Sequence, residues 1–228
     1  MEKRPQPRAV LFDAYGTLFD VYSVGLLAEQ LFPGAGERLA QLWRDKQIEY
    51  TRLVSMSGTY QPFWTLTRSA LQFSAEKLGL TLAPEAEDRL MNEYRHLSAF
   101  PENREVLQAL KARGVRAGIL SNGDPEMLAI AVRSAGFGGL LDPVLSVHET
   151  RRFKTDPTAY QVGPDALQLP AREILFVSSN GWDAIGATWS GFTTLWVNRA
   201  GGPLERLGTE PTRIGHSLRD VLDFFPAA

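Results

Sequence analysis

The sequence predicts an α/β fold, a doubly wound parallel sheet with a helical insertion after its first strand. Short, continuously apolar runs recur along the chain, and segments with helical spacing lie between them. Strands buried on both faces show such runs, and their alternation with helices is typical of a parallel sheet covered by helices on both sides. The insertion is predicted because residues 21–100 contain several helical patterns and no convincing strand.

Five apolar runs are the predicted strands, and each one ends in turn-forming or polar residues. Beyond the last run, Gly201–Thr212 is rich in glycine and proline, which predicts a loop. A closing helix is expected near Leu218–Phe225. The predicted strands are Ala9–Phe12, Ala117–Leu120, Val144–Val147, Ile174–Val177 and Thr193–Val197.

Helix signals fill the intervals between the later strands. Asn103–Arg113 places its apolar residues on one stripe. Asp124 and Asp156 each stand directly before a proline. This order predicts that each aspartate is the N-cap of a helix whose first position is proline. The second of these helices is expected to continue over Thr158–Leu167.

We interpret residues 21–100 as a helical cap domain and residues 8–20 and 101–228 as the α/β core domain. Ligands of open α/β sheets bind outside the carboxyl ends of the strands, so the cap is expected to cover that edge. The four amphipathic patterns of the cap are Gly25–Phe32, Glu37–Val54, Pro62–Leu78 and Pro84–Tyr94.

The composition narrows the possible functions. A chain of 228 residues, 44% of them hydrophobic, is long enough for a large core. The net charge of −2, without a basic block, argues against nucleic acid or an anionic membrane as the main partner. Because there is no cysteine, disulfides, thiolate metal sites and cysteine nucleophiles are excluded. We find no secretory signal and no apolar segment of membrane-spanning length, so a cytoplasmic protein is expected.

Polar residues follow four of the predicted strands. Asp13 comes after the first strand, Ser121-Asn122 after the second, Lys154 after the third and the segment 178–183 after the fourth. The carboxyl ends of parallel strands lie at one edge of the sheet, so these residues are expected to meet in one crevice.

The motif Asp13-Ala14-Tyr15-Gly16-Thr17-Leu18 resembles the first motif of the haloacid dehalogenase superfamily. Most members of that superfamily are phosphatases and carry a second aspartate where Tyr15 stands. That carboxyl protonates a leaving alcohol, and a phenol of unperturbed pKa ~10 is a poor substitute. The substitution therefore points to displacement at carbon.

The resemblance covers essentially the whole chain and is closest to the (S)-2-haloacid dehalogenases. Ser178-Ser179-Asn180-Gly181-Trp182-Asp183 is similar to the fourth motif of that family. The phosphatases usually have acidic residues there that hold Mg²⁺, an ion that carboxylates and phosphate oxygens bind. The resemblance thus implies hydrolysis of short (S)-2-haloalkanoic acids to (R)-2-hydroxy acids and halide, without a metal or another cofactor.

Catalytic roles follow from this resemblance. Asp13 is expected to attack carbon 2 and form an ester with the enzyme. Lys154 is expected to keep Asp13 ionised. Asp183, held by Ser178 and Asn180, is expected to activate the water that hydrolyses the ester.

Two further residues are implied as orienting groups, Thr17 for Asp13 and Tyr160 for Lys154. The substrate carboxylate needs directional donors as well. The hydroxyl of Ser121 and the backbone N–H groups of Ala14 and Tyr15 are suitably placed for it.

The departing halide also needs donors and an apolar wall. By resemblance, Arg44 and Asn122 are the donors, and Phe63 and Trp182 line the pocket. Locally, Arg44 is followed by an aspartate, a pattern typical of an exposed helix face, so only the resemblance gives it this role.

Simpler structural roles compete with these assignments. Thr17 could only cap a helix, Ser121 and Asn122 could form an N-cap pair, and Phe63 could be an ordinary core aromatic. For the whole protein, a Mg²⁺-dependent phosphatase of the same fold and a non-catalytic binding protein are the alternatives. The resemblance further implies a homodimer.

Overall fold

The structure is built on one sheet of six parallel strands in the order β3-β2-β1-β4-β5-β6. A computed structural model describes residues 6–226. Residues 1–5 and 227–228, including the end of the predicted core domain, lie outside the described residues. The strands are β1 (Ala9–Phe12), β2 (Arg116–Ser121), β3 (Val144–Ser146), β4 (Ile174–Ser178), β5 (Thr193–Val197) and β6 (Arg213–Gly215).

The first strand lies at the centre of this sheet. Phe12 pairs with Ile119 of β2 on one side and with Val177 of β4 on the other. All four residues of β1 are buried, which explains why the strand is a continuous apolar run. The carboxyl ends of β1, β2 and β4 are therefore neighbours. The predicted fold class is confirmed.

The sequence missed one strand and mistook the type of one helix. Strand β6 has three residues and lies at the edge of the sheet, where 44% of Ile214 is exposed. Such a short, half-exposed segment has no apolar run to reveal it. The closing helix begins at a Ser217–Asp220 capping box, as its sequence allows, but Leu218–Phe224 winds as a 3₁₀-helix.

Eight α-helices occur in residues 6–226, and four of them lie in the predicted insertion. Helix α2 packs against both α1 and α3. The buried stripe of α2 includes three polar residues, Arg44, Gln47 and Thr51, beside the apolar ones. The helices are α1 (Val24–Leu31), α2 (Gly36–Ser57), α3 (Phe63–Lys77), α4 (Pro84–Arg95), α5 (Asn103–Ala112), α6 (Pro125–Ser134), α7 (Pro157–Leu167) and α8 (Gly181–Trp189).

The division into a core and a cap domain stays a prediction. The helices of residues 21–100 are as expected within a few residues at each end, which is the usual uncertainty of helix limits. None of the helices within residues 6–226 combines the length and the apolar character that crossing a bilayer requires.

Asp124 corrects one expectation. It stands at the N-cap position of α6, but its carboxylate makes no capping hydrogen bond to that helix. Instead, Oδ1 accepts the backbone N–H of Phe63 at 3.1 Å, and Oδ2 accepts that of Trp64 at 2.8 Å. These N–H groups belong to the first turn of α3, which has no acceptors of its own for them. Asp124 therefore ties the start of α6 to the start of α3.

Two side chains surround this contact. His148 Nδ1 lies 3.1 Å from Asp124 Oδ1 and 2.9 Å from the hydroxyl of Tyr60. Asp156, in contrast, caps its own helix by accepting the N–H of Thr158 at 2.9 Å. The same sequence pattern thus gives two different contacts, because only Asp124 has another helix end beside it.

Asp124→Ala should lower the free energy of unfolding by about 1–2 kcal/mol, because two N–H groups of α3 lose their acceptor. Urea denaturation followed by circular dichroism measures this change. Asp45→Ala is the matched control, since Asp45 is an exposed carboxylate that binds only Gln41. An Asp124→Ala midpoint equal to that of the unsubstituted protein would show that the carboxylate does not hold α3.

Candidate active site

Asp13 follows β1 directly, and its carboxylate is fixed by three donors. Lys154 Nζ lies 3.2 Å from Oδ1. Thr17 Oγ1 and Asn180 Nδ2 lie 3.2 Å and 2.8 Å from Oδ2. The side chain is buried, so both oxygens are held in one orientation. Thr17 is thus placed on Asp13, as expected, and its hydroxyl also accepts the N–H of Ser179 at 2.8 Å.

Lys154 lies between two carboxylates. Its side chain is 1% exposed, and Nζ is 3.2 Å from Asp13 Oδ1 and 3.1 Å from Asp183 Oδ2. The backbone N–H of Lys154 donates to Asn122 Oδ1 at 3.0 Å, which fixes the start of this loop. A buried charge is strongly unfavourable without a partner, so one ammonium offsets two acids here.

Asp183 lies in the first turn of α8 and is completely buried. Oδ1 accepts the hydroxyl of Tyr160 at 2.7 Å, and Oδ2 faces Lys154. Burial raises the pKa of Asp183 to about 6; the charge of Lys154 opposes the rise and that of Asp13 adds to it. A carboxyl with a pKa this close to neutrality is suited to accept a proton from water.

Two expected contacts are wrong. Asp183 is not held by Ser178 and Asn180. The Ser178 hydroxyl accepts the N–H of Asn180 at 3.1 Å, and the amide of Asn180 binds Asp13 and the carbonyl of Tyr15. Asn180 is the N-cap of α8 and faces the end of the neighbouring strand β1, whereas Asp183 lies further along the helix.

Tyr160 orients Asp183 rather than Lys154. Its hydroxyl donates to the carboxylate of Asp183, which lies on the neighbouring helix. Burial raises the pKa of Tyr160 well above its usual value, and the negative charge of Asp183 adds to this effect. The phenol therefore stays protonated and acts as a fixed donor.

Arg44 is buried, against its local pattern. Only 8% of the residue is exposed. Nη2 donates to the carbonyl of Tyr15 at 2.9 Å and approaches Asn180 Oδ1 at 3.4 Å. Nη1 donates to Gln47 Oε1 at 2.8 Å. Helix α2 thus brings a guanidinium group to the end of β1.

Three backbone N–H groups lie free near Asp13. Within residues 6–226, those of Ala14, Tyr15 and Asn122 donate to no protein acceptor. The hydroxyl of Ser121 accepts the N–H of Gly123 at 3.1 Å, which fixes its direction. Free donors at strand ends are suited to an anion, because their dipoles point outward. The free N–H of Asn122 was not foreseen, since a sequence does not show which backbone donors remain unpaired.

An aromatic wall stands beside these donors. The ring centre of Tyr15 lies 5.7 Å from those of both Phe63 and Tyr94. Burial raises the pKa of Tyr15 well above its usual value, so its phenol is no replacement for a phosphatase acid. Trp182 is half-buried at the start of α8, with the guanidinium of Arg52 at 5.2 Å from its ring centre. Of the two expected wall residues, Phe63 therefore contacts Tyr15, whereas the ring contact of Trp182 is with Arg52.

Sequence reasoning missed Gln47, Thr67 and Tyr94. The amide of Gln47 is fully buried and accepts both the Arg44 guanidinium and the Tyr94 hydroxyl. Its three-residue spacing from Arg44 places the two side chains on one face of a helix, and this was an available signal. Tyr94 and Thr67 lie on other helices, so nothing in the sequence linked them to Arg44.

Comparison with known proteins shows which family has this architecture. A family model described as haloacid dehalogenase-like hydrolase matches residues 7–191. An (S)-2-haloacid dehalogenase from Pseudomonas sp. strain YL is 42% identical over 97% of this chain and 95% of that protein. The crystal structure of the L-2-haloacid dehalogenase RSc1362 has a TM-score of 0.95 and 57% identity, covering 97% of this chain and 99% of that one.

A third similarity concerns a reaction state. The Xanthobacter autotrophicus L-2-haloacid dehalogenase with chloropropionic acid covalently bound has a TM-score of 0.88 and 35% identity, covering 94% of this chain and 96% of that one. Fold and family match together define a haloacid dehalogenase-like hydrolase. Within that class, the chain belongs to the (S)-2-haloacid dehalogenase family.

Lys154→Met should lower the free energy of unfolding by ~3–5 kcal/mol at pH 8, because Asp13 and Asp183 lose their shared cation. Without Lys154, the pKa of Asp183 rises further, and the folded state favours its protonated form. The deficit is therefore full above that pKa and shrinks as the pH falls through it towards 5. Urea denaturation at both pH values measures the effect.

Adding Asp183→Asn to Lys154→Met should recover part of the lost stability at pH 8, since one of the two unpaired charges is removed. Lys46→Met is the matched control, because Lys46 pairs with Glu49 near the surface. Equal losses in the single and double variants would contradict the proposed charge balance.

Proposed function

We propose that the protein hydrolyses short (S)-2-haloalkanoic acids to (R)-2-hydroxy acids and halide, without a metal. The observation that carries this proposal is that the carboxylates of Asp13 and Asp183 both contact the single ammonium of Lys154. Two carboxylates in different surroundings suit two different tasks, one as nucleophile and the other as base. The membership of the family supports the substrate class.

In the first step, an oxygen of Asp13 attacks carbon 2 on the face opposite the halogen. The new carbon–oxygen bond forms as the halide leaves with the electron pair of the carbon–halogen bond, which inverts the centre. The ammonium of Lys154 lies 3.2 Å from Asp13 and offsets the negative charge of the approaching substrate. Thr17 and Asn180 hold the other oxygen of Asp13, so the attacking atom is kept in line.

The substrate carboxylate is assigned to the free donors at the strand ends. These are the N–H groups of Ala14, Tyr15 and Asn122, together with the hydroxyl of Ser121. Directional donors fix carbon 2 relative to Asp13, as an in-line displacement requires. They also supply the specificity for an acid over a neutral haloalkane.

The halide is assigned to Arg44 and Asn122, with Phe63 and Trp182 as the apolar wall. Negative charge on the halogen grows only while the bond breaks. A fixed cation beside it therefore stabilises the transition state more than the substrate. The burial of Arg44 supports this role, because a guanidinium in a dry site acts with less screening.

In the second step, Asp183 takes a proton from water, and the hydroxide attacks the ester carbonyl of Asp13. The ester bond breaks, the leaving alkoxide takes the proton back from Asp183, and the hydroxy acid departs with an oxygen that came from Asp13, while the water oxygen stays in Asp13. The raised pKa of Asp183, about 6, supports its role as base. Tyr160 and Lys154 hold its carboxylate, and Ser178 fixes the backbone of Asn180.

The position of Lys154 supports the proposal that the reaction needs no metal. Its ammonium lies between Asp13 and Asp183, and Ser179-Asn180 stands where the phosphatases usually have acidic residues that hold Mg²⁺. Within residues 6–226, no three His, Asp or Glu side chains converge where a metal ion would sit.

We also propose that residues 21–100 act as a cap over the site and that the protein is a cytoplasmic homodimer, with no nucleic-acid or membrane partner. Two of the residues assigned to the halide pocket, Arg44 and Phe63, come from that stretch. Exposed Leu53 and Met56 on α2 are suited to a subunit contact.

Purified protein should release chloride from (S)-2-chloropropionate but not from the (R)-form, because only one enantiomer presents the back of carbon 2 to Asp13. Dialysis against EDTA should leave the rate unchanged. Chloride release measured with and without Mg²⁺ checks both points. Activity that EDTA removes and Mg²⁺ restores would favour a phosphatase-like site, and binding without chloride release would favour a binding protein.

Asp183→Asn should accumulate the Asp13 ester, because hydrolysis of the ester loses its base while ester formation does not. Intact-protein mass spectrometry after mixing with (S)-2-chloropropionate detects the added mass. Arg44→Ala should show little ester, with a first step slowed by ~10²–10³-fold as for other lost transition-state donors. Ester in Arg44→Ala but none in Asp183→Asn would reverse the assigned roles.

A further inference from the structure

The inner face of α2 carries a buried amide next to Arg44. Gln47 has no solvent exposure, and both the oxygen and the nitrogen of its amide are hydrogen-bonded. Oε1 accepts Arg44 Nη1 at 2.8 Å and the hydroxyl of Tyr94 at 3.0 Å. Nε2 donates to Thr67 Oγ1 at 2.6 Å. A buried amide with partners on both its oxygen and its nitrogen is held in place, because movement would leave a partner unpaired.

The direction of this amide is fixed by Thr67. The hydroxyl of Thr67 donates to the carbonyl of Phe63 at 2.8 Å, one turn earlier in α3. Its proton is therefore committed, and only a lone pair remains for Gln47, which must offer its NH₂ group. The carbonyl oxygen of Gln47 consequently faces Arg44. The backbone of α3 thus determines that the guanidinium of Arg44 contacts the amide oxygen of Gln47 and not its nitrogen.

We propose that Gln47 is a positioning residue for Arg44, and that its acceptor must be uncharged. The amide oxygen holds Nη1, so Nη2 is directed to the carbonyl of Tyr15 at the end of β1. A neutral acceptor orients the guanidinium and leaves its full positive charge for a halide. A carboxylate at the same distance would orient Arg44 equally well but would neutralise it. This inference rests on the proposed role of Arg44.

Tyr94 joins this amide to the aromatic wall. Its hydroxyl donates to the oxygen that Arg44 uses, and its ring stacks on Tyr15 with the centres 5.7 Å apart. Burial raises the pKa of Tyr94, so the phenol stays a donor. Tyr94 thereby fixes the position of the Tyr15 ring relative to the guanidinium of Arg44.

Bromide binding to the resting protein tests the proposal, because it needs no turnover. Gln47→Glu should weaken bromide binding at least tenfold in calorimetric titration. Gln47→Met, which removes the acceptor but adds no charge, should weaken it less. Gln41→Glu adds the same charge to the exposed face of α2 and should bind bromide like the unsubstituted protein. Equal affinity in Gln47→Glu and the unsubstituted protein, or no bromide binding by the latter, would overturn the proposal.

A kinetic comparison separates positioning from a structural role. In single-turnover experiments, Gln47→Glu should lower the rate of ester formation more with 2-chloropropionate than with 2-bromopropionate. Chloride is the poorer leaving group, so its departure depends more on Arg44. A uniform slowing of both would indicate a merely structural residue and overturn the proposal. If Gln47→Glu does not fold, Thr67→Val replaces it, and the same halogen-dependent slowing is expected from the freed amide.

Failure of the proposed function is recognised separately. Absence of halide release by the unsubstituted protein overturns the dehalogenase assignment, whatever the variants bind. Normal halide release combined with unchanged bromide binding in Gln47→Glu overturns only the role of Gln47.

Discussion

The contact of one ammonium with two carboxylates organises this protein. Lys154 follows β3, Asp13 follows β1, and Asp183 lies in the helix after β4. These segments are remote in sequence, and the strand order brings their ends together. Each charge is buried, so none of them is tolerated without the others. The loop of Lys154, the turn of Asp13 and the first turn of α8 are therefore coupled to one another.

The two acids differ in the donors that surround them. Asp13 is bound by an ammonium, a hydroxyl and an amide. Asp183 shares the same ammonium but is more deeply buried, and its pKa is raised to about 6. Such a separation of environments is how a protein gives two chemically identical groups different tasks.

Polar contacts also connect the helices of residues 21–100 to the sheet. Arg44 of α2 reaches the carbonyl of Tyr15, and Asp124 at the start of α6 binds the first turn of α3. Hydrogen bonds depend on direction more than apolar packing does, so these contacts define where the helices lie. Gln47 extends the same principle by fixing Arg44 from behind.

The sequence by itself determined the core strands, the helical insertion and the family, because continuous apolar runs, helical spacing and two motifs are local patterns. It also predicted that Asp13, Lys154 and Asp183 meet at one edge of the sheet, since each lies in a segment that follows a predicted strand, and their side chains are in contact. It did not determine which donor binds which acid. Only the tertiary structure turned Asn180 to Asp13, Tyr160 to Asp183 and Asp124 to another helix.

The burial of Arg44, the free N–H of Asn122 and the amide of Gln47 belong to the same category. Each depends on which groups of distant elements remain unpaired after packing. The chemical groups of a residue follow from its type. Its hydrogen-bond partner depends on the arrangement that satisfies all buried polar groups together. That arrangement exists only in the folded chain.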